Sequence, residues 1–320
     1  HKEYRRQRQM CIRDRYNRPW ALRQSLGVVI RESSITRLYI AIDGPKNETD
    51  DGIVGEARRT ALDIGAEHPS VQFLFSEKNV GCRKFMEKAI TWFYSQEEYG
   101  IILEDDIVIS RQFIEFASIY IKHPLVSIVS ACSYPELVEE VRNREAFLTR
   151  IPSIWGWATT RELWEGYLAQ KGELPTNIWL VWLELGRRLG LLKGLLFTLC
   201  YRMSEEGELD AWDYPFAYYL IRNNLMTIMP ASRLAMNIGF GRDSTHNANA
   251  HNPTLPWDEK MLQRVAPIVD PKLSFAYERM QSLNTPFYPE FRMHALKGLA
   301  NLTFEKIRLL TLWEKQRDQK

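Results

Sequence analysis

Gly100-Ile-Ile-Leu-Glu-Asp-Asp106 is a short apolar run that stops on three adjacent carboxylates. Gly100–Leu103 reads as a buried strand, and Glu104, Asp105 and Asp106 sit at its carboxyl end. Like charges packed together at a buried strand end are costly without a cation to offset them. A divalent metal is one such cation, and an oxygen-only site prefers Mg²⁺ or Mn²⁺. The trio by itself also fits a plain acidic loop in which Asp105 or Asp106 caps the next helix.

Outward from this strand the chain alternates between strand and helix patterns. Upstream, Pro19 suits the first turn of a helix to about Arg31. Arg37–Asp43 reads as a buried strand that ends in Asp-Gly-Pro, and Val54–Ala66 as a helix. Val71–Phe75 reads as a strand and Cys82–Ser95 as a helix. Downstream, Ser110 caps a helix to about Lys122, and Val126–Ala131 is a further strand. Such alternation predicts a mostly parallel α/β sheet with helices on both faces, and such sheets bind ligands beyond the carboxyl ends of their strands. Asp43 and the acidic trio both fall at such ends.

The second half is richer in helix patterns. Thr159–Gln170 reads as a helix. Asn177–Met203 reads as a long helical stretch, broken or bent at Gly186, Gly190 and Gly194. Its apolar part is too short for a membrane span, which needs about 20 residues. A helical insertion packed on the domain is expected over residues 171–207, with an element on a membrane surface as the competing reading. Asp213–Asn223 reads as a helix, Leu225–Met229 as a strand and Met236–Asn252 as a polar loop. Phe291–Lys315 reads as a basic, partly amphipathic helix. No repeat or linker divides the chain, so one domain over 16–290 and a terminal helix over 291–320 are expected.

Composition narrows the classes. The 320 residues are 45% hydrophobic and 26% charged, with a formal net charge of +2. That composition excludes a disordered or disulfide-dense chain, and the weak charge gives no support to nucleic-acid binding. The four cysteines, Cys11, Cys82, Cys132 and Cys200, have no metal-ligand spacing, and buried thiols in a reducing compartment are expected.

The opening segment reads differently. Arg5–Arg15, RRQRQMCIRDR, matches codon by codon the in-frame translation of a transposase adaptor used in DNA sequencing. His1–Arg15 is therefore expected to be adaptor-derived, with the native part starting at Tyr16. Its removal reverses the sign of the slight positive balance. Two outcomes are expected in a folded chain: His1–Arg15 left unpacked, or part of Gln9–Arg13 forced into the place of a first strand.

Four motifs then carry a resemblance. Ile101-Ile-Leu-Glu-Asp-Asp-Ile-Val108 with Phe113 and Phe116 looks like the acidic strand-end motif of GT-A glycosyltransferases. Ser153-Ile-Trp-Gly-Trp-Ala-Thr159 with Trp164 resembles the segment that those enzymes place under donor sugar and acceptor. Trp212-Asp-Tyr-Pro-Phe216 and Asn237-Ile-Gly-Phe-Gly241, with Ser244-Thr-His246, resemble a bacterial group of nucleotide-sugar transferases distantly similar to N-acetylglucosaminyltransferase I. The motifs occur in the family's order, from Tyr16 to about His246. The acidic motif is Glu-Asp-Asp rather than a literal Asp-x-Asp.

The resemblance implies a GT-A, Rossmann-like sheet whose first strand is truncated here. It implies an inverting, metal-dependent transfer from a nucleotide-diphosphate sugar, UDP-sugar favoured, to a glycan or lipid-linked acceptor, using Mn²⁺ or Mg²⁺. Asp106 would ligate the metal, with His246 completing its shell. Asp105 would lie near the ribose and Glu104 near the donor sugar. Asp43 would read the base, and Arg18 would lie beside the base or diphosphate. Asp213 would be the general base, with Asp210 as its nearest competitor. Trp155, Gly156 and Trp157 would form the sugar and acceptor platform. The implied location is cytoplasmic, with peripheral contact at the inner face of the membrane. The competing readings are a nucleotide-sugar-binding protein without turnover and a nucleotidyltransferase.

Overall fold

The structure is a computed structural model that describes residues 8–14, 18–133 and 146–239. In chain order it contains β1 (Arg8–Asp14), α1 (Pro19–Ile30), β2 (Ile35–Ile42), α2 (Asp51–Gly65), β3 (Val71–Phe75), α3 (Cys82–Tyr94), β4 (Tyr99–Glu104), β5 (Ile107–Ile109) and α4 (Arg111–Tyr120). There follow β6 (Ile128–Ser130), β7 (Ala146–Thr149), β8 (Trp157–Thr160), α5 (Arg161–Lys171), α6 (Ile178–Leu189), α7 (Leu191–Glu205), α8 (Asp213–Arg222), β9 (Thr227–Pro230) and β10 (Ala235–Asn237). Eight strands form one sheet in the order β3-β2-β1-β4-β8-β6-β9-β7, while β5 and β10 pair separately. The β3-β2-β1-β4 half is parallel throughout, and β8 enters antiparallel between β4 and β6. This is the expected α/β architecture with a mostly parallel central sheet.

Strand periodicity decides which helices cover which face. Leu38, Ile40 and Ile42 of β2, with Ile101 and Leu103 of β4, point into one core with Leu22, Leu26, Ala57, Ala61 and Phe113 of α1, α2 and α4. Tyr39 and Ile102, offset by one residue, point into the other core with Met86, Ile90 and Phe93 of α3. Trp164, Val181, Leu185, Tyr201 and Phe216 bring α5 to α8 onto that same second face. Residues 171–207 therefore pack on the sheet's helical layer as two helices.

The glycines of that arm have different roles from those their spacing suggests. Gly190 (φ 89°) makes the break between α6 and α7. Gly186 and Gly194 lie within helices and let them touch. A Cβ on Gly194 would stand 2.4 Å from the Gly186 nitrogen. The chain thus doubles back through a single residue, which demands side-chain-free faces where the two helices cross.

Some strands escape a reading by pattern. Trp157–Thr160 is β8, and the helix expected from Thr159 begins at Arg161, with Thr160 as its N-cap. β5, β7 and β10 have three or four residues each, too few to show a period.

The interior place between β2 and β4 is filled by β1. Met10 to Asp14 run in register with Leu38 to Ile42, and Met10 to Arg13 with Ile101 to Glu104. Of the two outcomes expected for the opening segment, this is the second. Ladder hydrogen bonds use only main-chain groups, so any run without proline can complete them. An interior parallel strand ordinarily reads as a continuous apolar run, and Arg-Gln-Met-Cys-Ile-Arg-Asp does not.

Two outcomes are expected in urea denaturation. Gly194→Ala should lower stability by about 1–3 kcal/mol, because backbone rather than a movable side chain stands in the way. Gly55→Ala, in α2 with only the flexible Arg59 guanidinium nearby, should raise it by about 0.5–1 kcal/mol.

Candidate active site

The acidic strand end is a two-residue turn. β4 ends at Glu104, Asp105 and Asp106 turn the chain, and β5 begins at Ile107. All three acids are buried, Asp105 completely. The cation beside them is Arg18, at the N-terminal boundary of α1 and itself 4% exposed. Its Nε lies 3.2 Å from Asp105 Oδ2, and its Nη1 lies 3.1 Å from Asp106 Oδ2. One planar guanidinium thus reaches both carboxylates, a geometry that an ammonium cannot reproduce. From the next turns of α1, Ser25 Oγ donates to the Asp105 carbonyl.

The segment after β10 closes over the same turn. β10 pairs antiparallel with β5, matching Asn237 with Ile107. The Ile238 amide donates to the Asp106 carbonyl at 2.8 Å. The Gly239 amide donates to Asn237 Oδ1 at 2.7 Å. A Cβ on Gly239 would stand 2.2 Å from Asp106 Oδ2 and 2.4 Å from Arg18 Nη1. The Asn237-Ile-Gly motif therefore lies directly on the acidic pair, and its glycine is required by that approach. The sequence marks Asn237-Ile-Gly as part of a motif within a polar loop, but not its fit onto the acidic pair.

The Ser153–Thr159 segment reaches the turn from behind. Gly156 has φ 69°, and a Cβ there would meet Ile109 Cγ2 at 3.0 Å and Leu103 Cδ2 at 3.4 Å. Its carbonyl accepts from Ala131 N at 2.8 Å. Trp157 is 1% exposed, and its ring stacks on Trp212 at 5.8 Å and an interplanar angle of 24°. Trp157 is thus a core aromatic, leaving no open face for a sugar. Trp155 is half-buried against the first core.

Asp43 follows β2 and is buried. Its Oδ1 accepts from Gly44 N at 2.8 Å and from Val80 N at 3.2 Å. It thereby fastens the β2–α2 loop to the loop before α3. Just past Val80, the Cys82 and Arg83 amides donate to Asp210, each at 2.8 Å, so that Asp210 caps α3. The two aspartates considered for base catalysis thus separate: Asp210 is committed to the α3 cap, whereas Asp213 opens α8 and is half-buried. Because α8 leads into β9, which runs parallel to β6, its N-terminus lies at the carboxyl edge of the sheet. Asp43, Asp105, Asp106 and Asp213 therefore share one edge.

Beneath Asp213, burial pushes the Cys200 thiol up to about 12, and the nearby Asp213 charge pushes in the same direction. Cys200 is a packed thiol here and no nucleophile at neutral pH. His246 and the 291–320 segment lie outside the described residues. Among the described residues, no group of three His, Cys, Asp or Glu side chains is arranged to hold a metal ion. The Asp105–Asp106 pair nevertheless has the hard-oxygen chemistry that Mg²⁺ or Mn²⁺ takes, and Mg²⁺ sites commonly use one or two carboxylates. Arg18 already bears on both of them, so a metal there has to share or displace its charge.

No family model matches the chain, and no curated protein matches it. Solved structures do. One is a mannosyltransferase from Pyrobaculum calidifontis solved with GDP-mannose and Mn²⁺, 15% identical over 68% of each chain, TM-score 0.38. Another is the inositol-1-phosphate CTP transferase of T. maritima, 7% identical over 86% of this chain and 96% of that one, TM-score 0.40. A third is glucosyl-3-phosphoglycerate synthase from Mycobacterium tuberculosis with Mn²⁺, UDP and phosphoglyceric acid, 8% identical over 49% of this chain and 57% of that one, TM-score 0.31. The structural neighbours thus include both glycosyl- and nucleotidyltransferases.

Arg18→Met should leave two buried carboxylates facing each other without their guanidinium and cost about 3–5 kcal/mol in urea denaturation without divalent metal. Asp210→Ala should cost about 1 kcal/mol by the same assay, the value of an N-cap.

Proposed function

We propose that the chain is a GT-A glycosyltransferase, inverting and metal-dependent, that moves a sugar from a nucleotide-diphosphate donor to an acceptor hydroxyl. The carrying observation is contiguity. The described parts of the four motifs behind the resemblance, spread from residue 101 to Gly239, are joined by contact: the Gly156 and Gly239 segments meet at the acidic turn, and the Trp212 segment joins them through the second core. Gly156 packs on Leu103 and Ile109, Trp157 stacks on Trp212, and the Gly239 position abuts Asp106.

In this reading Asp106, with Asp105 beside it and His246 from the segment beyond Gly239, would hold Mn²⁺ or Mg²⁺. The bound metal supplies positive charge for the departing diphosphate. Asp213 accepts the acceptor hydroxyl's proton as that oxygen attacks the anomeric carbon from the face opposite the leaving group. Glu104 and Asp105 orient the donor. Trp155, at the Gly156 turn, is the aromatic of the platform whose ring is not enclosed in the second core. Asp43 serves the nucleotide end through the loop that it fastens as much as through its own oxygens. UDP is the preferred nucleotide and a glycan or lipid-linked hydroxyl the acceptor class. The setting is the cytoplasm, in surface-glycan or polysaccharide assembly.

The Arg18 ion pairs favour one second reading: a protein that binds a nucleotide sugar but does not turn it over, its acidic pair held by the guanidinium instead of a metal. The two readings separate in a donor screen with Mn²⁺ that follows nucleoside-diphosphate release. The enzyme reading expects release that falls about 10²–10⁴-fold in Asp213→Asn, the range for loss of a general base, and falls likewise in Asp106→Ala. Both variants as active as the parent would sink the site assignment. Saturable UDP–Mn²⁺ binding with no release from any donor would establish the second reading. Replacing Arg8–Asp14 by an uninterrupted apolar, β-branched strand should raise the urea midpoint and the release rate together, which tests the adaptor reading of that segment.

A further inference from the structure

We propose that the outward face of α6, continued by the first turn of α7, docks on an anionic lipid surface. Trp179, Leu180, Leu183 and Arg187 recur along α6 at the spacing of a single helix face, and all four are exposed. Trp179 is 63% exposed, and Leu191 and Leu192 in the first turn of α7 are 69% and 62% exposed. These side chains form one surface. Trp179 packs edge-on against Trp182, whose Nε1 donates to the Leu191 carbonyl at 2.9 Å.

The chemistry of the face selects its occupant. The outward stripe of α6 contains one charge, the cation of Arg187. Glu184, the acid of α6, is turned aside to Arg222 and Tyr218 of α8. A face of indoles and leucines ending in a guanidinium matches the interfacial zone of a bilayer, with acyl chains under the apolar groups and headgroup phosphates beside the cation. In the sequence, Phe291–Lys320 also carries more cations than anions, so its charge suits the same anionic surface better than it suits the Arg187 end of the stripe. No helix among the described residues is long and apolar enough to cross a membrane, so the contact is one of lying on the surface.

Orientation adds a functional sense. Arg188 donates to the Arg222 carbonyl at the end of α8, which places the α6–α7 break at the amino edge of the sheet. Pro175, just before α6, accepts from Tyr201 near the end of α7, and α7 ends on Arg83 at the start of α3. The Trp179 end of the stripe therefore stands at the level of the candidate site.

The proposal rests on exposure and charge and is tested without any donor, so it stands or falls separately from the transferase reading. The full chain is sedimented with phosphatidylcholine vesicles and with vesicles containing roughly 30% phosphatidylglycerol. Binding to the anionic vesicles only, weakened by salt, is expected. Trp179→Ser with Leu183→Ser should lower vesicle affinity by about tenfold or more while leaving the circular dichroism spectrum unchanged, whereas Trp179→Phe should keep it. A parent chain that ignores both kinds of vesicle overturns the proposal, as does a double serine variant that binds like the parent. A parent dimer in lipid-free sedimentation velocity that the serine substitutions dissolve would assign the face to a second copy of the chain and likewise overturn it.

Discussion

The arrangement of the site depends on the ion triad of Arg18, Asp105 and Asp106. Two carboxylates on consecutive residues of a buried turn are unfavourable neighbours, and their placement requires a cation of fixed geometry within reach. Arg18 provides it from the residue before Pro19, where the chain leaves its central strand. The first helix and the fourth strand are thereby tied at the edge where ligands of parallel sheets bind. Ser25 and Ile238 hold the two carbonyls of the same turn from opposite sides. The turn is thus fixed by its backbone as well as by its charges.

A second set of restraints runs along the same edge. Asp43 grips the Val80 amide of the loop that leads into α3, Asp210 grips the Cys82 and Arg83 amides of its first turn, and Arg83 carries the connection on to the end of α7. The segment that bears Asp213 is therefore anchored three residues upstream by its neighbour. That division of labour explains why two aspartates of similar sequence context are not interchangeable: one is occupied by helix amides, and the other begins a helix of its own.

The sequence made the helices and most parallel strands legible because each shows a period, a cap or an apolar run bounded by turn residues. Val71–Phe75 and the Ser110 and Pro19 starts appear where propensity places them. The short antiparallel strands were not legible, since three or four residues match either pattern and their pairing is set by distant partners. Within the site, the acids, Arg18 and the Gly156 turn could be named from the chain, but not their relations. Arg18, expected beside a base or diphosphate, stands against the acids at the same edge. Trp157 was assigned in part to a sugar and instead lies under Trp212. Gly239 stands in a quoted motif, but the reason for it is not local, because the need for it arises from an atom more than a hundred residues away.

The strand between β2 and β4 has a consequence of another kind. Its position is defined by two flanking ladders of amides and carbonyls, which recognise a backbone and not a side-chain pattern. A groove of that character behaves as a receptor for extended peptide. The same two ladders are the ones that a strand supplied from a separate molecule uses in donor-strand exchange.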